Sequence, residues 1–292
     1  MSSRVELNLF LEVDILTAGT IAEVINSVLE SLLYQRNQIP FVYKTYRYYV
    51  NKWNDDDEQQ EDMEQLDNVK NFQVQRQRNL AKSTKDSISA MREAINDTFR
   101  RTAVKSLRFL FGGTPFTPKE SYTIHIPIEN VLTNHDWEQH RIEAQKLNET
   151  LISLLTNESL YSIFSQNLSP TNVYLEFQLF DNPMTSTRSS QDSKSNMYPK
   201  EFSAIPSSCK DIQINLIHKR KPESENMIFK CCKDLHIFED NISPYLKNST
   251  SPSGFYGGKK SNFFNQDVGW WESEVIVRGF KEQSIKGQNI WK

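Results

Sequence analysis

The stretch TIAEVINSVLESLLYQRNQIP, residues 20–40, decides the fold of this 292-residue sequence. Its apolar residues recur at intervals of three and four, which is the spacing of one helix face. Thr20 and Glu23 stand at the spacing of a capping box, whose side chains satisfy free N–H groups of the first turn. Pro40 cannot continue a helix. We therefore predict an amphipathic helix that starts near Thr20 and ends before Pro40.

Strands are predicted on both sides of this helix. Between Val5 and Ile15, apolar residues alternate with polar ones, which is the period of a strand with one buried face. Four later segments have the composition and length of strands: 122–128, 173–180, 212–217 and 270–280. The sequence therefore predicts one sheet made of these strands.

Two more helices are predicted further along the chain. The second starts at about Ser83, where Ser83 and Asp86 have the spacing of a cap, and its apolar stripe runs on to Leu110. Gly112 is expected to stop it. The third helix is expected over about 136–155. Helices and strands do not alternate as regular βαβ units, so the pattern favours an α+β fold with three helices on one face of a sheet.

The chain is expected to form a single domain over residues 1–292. An acidic run at about 54–70 contains almost nothing to bury and is expected to be a disordered insertion. Flexible loops are expected at about 184–197 and 219–266. None of these polar stretches divides the sequence into two parts with separate cores.

The composition argues against several functional classes. A formal charge of −3 gives no general reason to bind a polyanion such as nucleic acid. No segment approaches the 18 or more apolar residues of a membrane-spanning helix, so no membrane association is expected. Three cysteines are too few for a disulfide framework, and no cleavable signal is recognised. The expectation is a soluble, intracellular protein.

The residue patterns that usually indicate catalysis or cofactor binding are weak. None of the five histidines has a Cys or Ser partner at a familiar motif spacing. Cys231, Cys232 and His236 lack the fourth ligand and the paired spacing of a zinc site. The glycine pairs do not fit a phosphate-binding loop. We therefore expect no catalytic residue, no metal and no cofactor.

A cluster of tyrosines and bases follows the first predicted helix. Tyr43, Tyr46, Tyr48 and Tyr49 are interleaved with lysines and arginines, a composition that suits base stacking and phosphate contacts. Tyr and Arg are also enriched in protein interfaces. The edge of a core and a protein interface are equally favoured, and a single-strand nucleic-acid site is the weaker alternative. From the residues alone, the sequence indicates a non-enzymatic α+β interaction domain.

Four motifs together carry a resemblance to a known family. They are YQRNQIP (34–40), LFGGTPFTPKE (110–120), YPK (198–200) and VRGFKE (277–282). In this order and rough spacing they resemble the comet family, HORMA-like adaptors of the spindle assembly checkpoint. The resemblance covers most of the chain, from Ile21 to Glu282.

The resemblance implies a particular fold. It implies a HORMA-like domain, in which three helices pack on one face of an antiparallel sheet and a C-terminal "safety belt" segment closes over a peptide groove. In this family the groove holds the protein's own C-terminal tail. Here the tail would contribute Val275, Val277 and Phe280, adding to the sheet as a strand.

The resemblance also implies two protein partners. The first is the closed form of the checkpoint HORMA protein Mad-two (Mad2), which the family binds through its first and third helices. The residues implied in that contact are Gln35, Arg36, Leu147 and Leu151. The second partner is an AAA+ remodelling ATPase, contacted by Pro199 and Lys200.

The implied function is that of a non-enzymatic adaptor. It would present closed Mad2 to the ATPase, promoting disassembly of the mitotic checkpoint complex and silencing of the checkpoint. The protein would be a monomer when free, in the nucleus and cytoplasm, with spindle or kinetochore association in mitosis. The alternative is a HORMA-type structural subunit that traps a partner peptide in DNA repair or meiotic chromosome axes.

Overall fold

The structure is a computed structural model that describes residues 4–57, 68–131, 142–180, 197–201, 203–219, 269–285 and 289–291. Most of the predicted acidic insertion, both predicted loops apart from their ends, and the start of the third predicted helix lie outside these residues. So do Cys231, Cys232 and His236.

Within the described residues the chain forms five α-helices and eight strands. The helices are α1 (Ala18–Gln35), α2 (Tyr43–Asp57), α3 (Asn68–Arg101), α4 (Ala144–Leu155) and α5 (Glu158–Phe164), with a 3₁₀ turn at Ile128–Asn130. The strands are β1 (Arg4–Glu12), β2 (Val104–Gly112), β3 (Pro118–His125), β4 (Asn172–Leu179), β5 (Met197–Lys200), β6 (Lys210–Lys219), β7 (Trp270–Ser273) and β8 (Val277–Arg278). The α+β class is therefore confirmed, with more helices than the three expected.

The strands form a single mixed sheet. Its order is β1-β6-β3-β2-β4-β7-β5, and β8 pairs with β4 beyond the end of β7. The pairs β1–β6 and β3–β6 are parallel, and the others are antiparallel. The implied all-antiparallel sheet is therefore wrong at β6. Long stretches of chain separate β6 from β1 and from β3. Parallel strands need a long connection of this kind, because the chain must cross back before it can pair.

Helix α1 lies at the centre of the core. Its fully buried face is made of Ile21, Val24, Ile25, Val28, Leu29 and Leu33. The predicted capping box at Thr20 is wrong, because the N-cap is Thr17, whose Oγ1 accepts from the Thr20 amide at 3.1 Å. The helix ends at Gln35. Asn37 follows with a φ of 55°, a left-handed conformation that Asn tolerates better than most residues.

The second predicted helix is placed wrongly at both ends. Helix α3 begins at Asn68 and ends at Arg101, and the apolar residues Leu107 and Leu110 belong to β2. Strand β2 is buried on both faces from Ser106 onward. A strand of this kind has no alternation of polar and apolar residues, so it resembles a continuation of a helical stripe.

The tyrosine cluster forms a helix that the sequence patterns did not predict. In α2 the residues Tyr43, Tyr46, Val50 and Trp53 are buried and spaced as one helix face. Tyr48 on the opposite side is 65% exposed. The cluster is thus largely the edge of the core.

The third predicted helix and the last predicted strand each differ from the prediction. The third predicted helix ends at Leu155 as expected, but a separate α5 follows, where Asn157 Oδ1 accepts from the Ser159 amide at 3.0 Å. The predicted strand 270–280 consists of β7 and β8 with a break between them. None of the described helices is both long and apolar enough to cross a membrane.

Candidate partner-binding site

The C-terminal segment 270–280, called the tail below, is built into the sheet. Strand β7 lies between β4 and β5, with Trp271 opposite Phe177 on one side and Pro199 on the other. Strand β8 continues along β4, with Val277 opposite Val173. The tail therefore gains backbone hydrogen bonds from flanking strands, as an added peptide strand would.

Alternate side chains of the tail face the core. Trp271, Ser273 and Val277 are buried, Val275 is half-buried, and the residues between them are more exposed. Phe280 is also buried, at 4% exposure. The structure thus places all three tail residues implied by the resemblance, Val275, Val277 and Phe280, against the apolar core.

The end of the tail is fastened by backbone hydrogen bonds to two other segments. The Gly279 amide donates to the carbonyl oxygen of Thr171 and the Phe280 amide to that of Gln38, both at 2.8 Å. In addition, Thr84 Oγ1 of α3 donates to the carbonyl oxygen of Arg278 at 3.0 Å. The tail is therefore held by β4, by the loop after α1 and by α3.

Gln38 links the hydrogen bonds at the end of the tail to the end of α1. Its Oε1 accepts from the Thr171 amide at 2.7 Å, and its Nε2 donates to the carbonyl oxygen of Arg36 at 2.5 Å. Gln38 is fully buried. Because one residue contacts both the tail and the C-cap of α1, the position of the tail and the geometry of that helix end depend on each other.

Arg36 lies in the interior and forms a buried ion pair. Its Nε and Nη2 donate to the two carboxylate oxygens of Glu120, each at 2.8 Å, and its Nη1 donates to the Gln166 carbonyl oxygen at 2.9 Å. Tyr122 donates to the same carboxylate at 2.9 Å, and burial raises the pKa of its phenol well above the usual value. Arg36 is 0% exposed. A surface contact by its side chain does not fit this position; it orients the end of α1.

The other residues implied in Mad2 contact lie near the surface on α1 and α4. Gln35 is half-buried and borders a hollow of about 520 Å³ whose rim includes Phe280, Lys281 and Glu282. Leu147 and Leu151 are half-buried on α4 and pack against the core. The hollow is thus shared between the end of α1 and the residues around the end of the tail.

Two strongly exposed apolar residues on α4 and α5 were not singled out from the sequence. Ile152 on α4 is 59% exposed and Tyr161 on α5 is 74% exposed. They lie on two consecutive helices, and a partner that covered them would bury their apolar surface. Ile152 lies off the apolar stripe of its helix, and that mismatch is the signal that sequence analysis had available.

Pro199 and Lys200 lie on β5, the edge strand beside the tail. Pro199 is exposed, which suits a residue that cannot donate to a ladder. The Lys200 ammonium is paired with the fully buried carboxylate of Glu176, which also accepts from Arg108 Nε at 2.5 Å. The charge of Lys200 is therefore directed inward, and Pro199 is the member of the pair that a partner can reach.

His125 and Cys209 both lie within the fold. His125 contacts Ser106 Oγ at 3.0 Å and Gln213 Oε1 at 2.7 Å, but Ser106 is 1% exposed and lies within the sheet. Among the residues that the structure describes, no group of three or more His, Cys, Asp or Glu is placed to hold a metal ion. Cys209 is buried, and burial raises the pKa of its thiol to about 12.

Fold and site together define an α+β binding protein with an intramolecular strand in its sheet. The chain belongs to the p31comet family: the family model described as "p31comet: Mad1 and Cdc20-bound-Mad2 binding" matches residues 17–171. Membership indicates Mad2 binding and a checkpoint-related adaptor role, and it confirms the resemblance seen in the motifs. The matched segment contains Gln35 and Leu151 but ends before Pro199 and the tail. No curated protein matches the chain.

Proposed function

We propose that this protein is a non-enzymatic adaptor that binds closed Mad2 and presents it to an AAA+ remodelling ATPase. Through this it would promote disassembly of the mitotic checkpoint complex and silencing of the spindle assembly checkpoint. The observation that carries the proposal is the surface formed by the end of α1 and by α4 and α5, because it lies inside the segment that matches the family.

We further propose that the domain is HORMA-like and in a closed-like state. Helices α1, α3 and α4 would be the three HORMA helices, since α1 contacts both of the others. Strand β5 would belong to the safety belt, because it lies on the outer side of β7 and holds the tail against β4. Helices α2 and α5 would be additions to that plan.

The proposed Mad2 contact combines polar and apolar groups. Gln35 would provide a hydrogen-bonding amide at the end of α1, and Ile152 with Tyr161 would provide apolar area that a partner can cover. Fully burying a large apolar side chain is worth about 1.5–3 kcal/mol. Leu147 and Leu151 would support this surface from below, since both pack against the core.

In this mechanism the chain performs no chemistry itself. Because its own tail fills the place of a partner peptide, it would dock on closed Mad2 as a second HORMA-like unit and compete with open Mad2 for that face. The ATPase would supply the energy that opens Mad2, guided by the exposed face around Pro199. We propose that the free protein is a monomer in nucleus and cytoplasm, with spindle or kinetochore association in mitosis.

The alternative is a HORMA-type subunit that traps a foreign peptide in DNA repair or at meiotic axes. The tail supports the adaptor hypothesis instead. Strand β7 already pairs with β4 and β5 and so fills the sheet position between them. A single-strand nucleic-acid site at the tyrosine cluster has less support, because Tyr43 and Tyr46 are buried.

The test is a titration of closed-locked Mad2 with the wild-type chain and three variants. The variants are Gln35→Ala/Leu151→Ala, Ile152→Ala/Tyr161→Ala and the control Phe72→Ala, an exposed residue of α3 outside the proposed surface. We expect each double variant to bind at least about tenfold more weakly, the effect of about 1.4 kcal/mol. The control should bind like wild type. Equal binding by all four proteins would show that the interface lies elsewhere on the protein.

A further inference from the structure

Trp291 lies in a pocket of aromatic rings that neither the family match nor the motifs account for. It is 8% exposed, although it follows the last recognised motif by nine residues. Its ring centroid lies 5.0 Å from Phe41, 5.7 Å from Tyr46, 6.1 Å from Tyr49, 5.0 Å from Trp53 and 5.8 Å from Phe280. Most of these rings meet the indole at steep angles, the edge-to-face geometry that aromatic pairs favour.

The walls of the pocket are fixed by contacts between α2 and α3. The Tyr46 hydroxyl donates to the Ala81 carbonyl oxygen at 2.9 Å, and the Tyr43 hydroxyl lies 2.9 Å from Ser89 Oγ. The Arg78 guanidinium lies over the Trp53 ring at 5.3 Å. Because these contacts do not involve Trp291, the walls contributed by α2 are held in place without the indole.

Recognition of the indole rests on ring packing. The Trp291 Nε1–H is buried and has no hydrogen-bond partner among the described residues. Buried indole N–H groups usually find an acceptor, and an unmade bond weakens the docked state. A phenyl ring should therefore replace the indole with little loss, whereas a methyl group should not.

The pocket is continuous with the fastened end of the tail. Phe280 donates its amide to Gln38 and packs its ring on Trp291, so it belongs to both sites. Between Phe280 and Trp291, the Gln283 amide donates to Gln77 Oε1 of α3 at 3.2 Å, and Ile285 is buried. After the tail, the chain is thus attached to α3 at Gln283 and to the aromatic pocket at Trp291.

The structure assigns a second intramolecular binding site, an aromatic pocket on α2 that binds the indole of Trp291. We call this contact the lock, because it stabilises the tail in its position beside β4. Docking of the indole and docking of Phe280 stabilise each other, because each covers the other's ring. Removing the indole lowers the stability of the docked tail, and displacing the tail removes one wall of the pocket. The inference concerns retention of the tail and holds whichever partner the protein binds.

The test is hydrogen exchange on the full chain, read at the Gly279 and Phe280 amides. These two amides donate across the junction between tail and groove, and the β2 amides report on the core. In Trp291→Ala we expect exchange at Gly279 and Phe280 to be on the order of tenfold faster, with β2 unchanged. Trp291→Phe and the exposed-ring control Phe72→Ala should both exchange like wild type.

Three results would overturn the lock. Unchanged exchange at Gly279 and Phe280 in Trp291→Ala would show that the indole does not retain the tail. Equal acceleration in β2 would make Trp291 an ordinary core residue. Exchange in Trp291→Phe as fast as in Trp291→Ala would show that ring packing is not what the pocket recognises.

Discussion

Gly279 passes so close to Gln38 that a β-carbon at position 279 would lie 2.3 Å from Gln38 Oε1. The same β-carbon would lie 2.9 Å from the Thr171 amide nitrogen, which is backbone and cannot turn aside. Gly279 therefore lets the tail approach the loop after α1 closely enough for the Phe280 amide to reach Gln38.

Gly279→Ala should loosen the tail. The added methyl group must displace Gln38 or Thr171, and such overpacking typically costs about 1–3 kcal/mol. The loss is measured as the free energy of unfolding in urea. Gly269→Ala is the matched control, because a β-carbon there has open space. A Gly279→Ala variant as stable as the control would contradict the close approach.

Replacing Arg36 by Met should destabilise the fold strongly. Among the described residues the change leaves the buried Glu120 carboxylate with Tyr122 and Lys210, and breaking a buried pair costs about 3–5 kcal/mol. Urea unfolding measures the loss. Arg101→Ala breaks a pair in which both side chains are largely exposed, so it should change stability by about 1 kcal/mol or less. Similar losses in both variants would contradict the interior role of Arg36.

Substitutions of Lys200 and of Pro199 should have different effects on the stability of the fold. Lys200→Ala leaves buried Glu176 with one cationic partner among the described residues, Arg108, and we expect a loss of about 1–3 kcal/mol in unfolding free energy. Pro199→Ala removes an exposed ring and should leave stability nearly unchanged. If Lys200→Ala is as stable as wild type, its ammonium is free for a partner, as the resemblance first implied.

Glu272 on β7 should make the tail more stable as the pH falls. Burial raises the pKa of this carboxyl above 4.5 and the charge of Glu176 adds to the rise, although Lys200 opposes it. Ionised Glu272 therefore opposes folding near neutral pH. The cost is relieved as the pH drops through the folded pKa and is absent below 4.5.

The comparison of wild type with Glu272→Gln isolates this effect. The variant should be the more stable protein at pH 7, and the difference should vanish below the unfolded pKa. Urea unfolding at several pH values measures it. A variant that is less stable at pH 7 would mean that the carboxylate makes a favourable contact in the tail.

Elements with one buried face were predictable from the sequence. Strand β1 exposes one side to water, and most polar residues of α1 lie on its less buried side, so the apolar residues of both repeat with the period of the element. Strand β2 is buried on both sides and has no such period, so its apolar residues, Leu107 among them, follow the helical stripe and predict a helix. Helix α2 was missed because its buried face is largely tyrosine and tryptophan, residues equally typical of a surface.

The candidate site was less accessible to sequence reasoning than the fold. Residues of the tail pair with residues of β4 that lie 92 to 106 positions earlier in the chain, and no local pattern encodes a pairing at that distance. Motif resemblance singled out Gln35, Val277 and Phe280. It did not show that Arg36 faces inward, that Ile152 is exposed or that Trp291 is buried among aromatic rings.

The most direct test of the account is a calorimetric titration of the full chain against Mad2 locked in its closed form and, separately, in its open form. The account predicts saturable one-to-one binding to closed Mad2 and no measurable binding to open Mad2. Binding to both forms with equal affinity, or to neither, would contradict it, because the proposed adaptor must distinguish the closed state that it delivers to the ATPase.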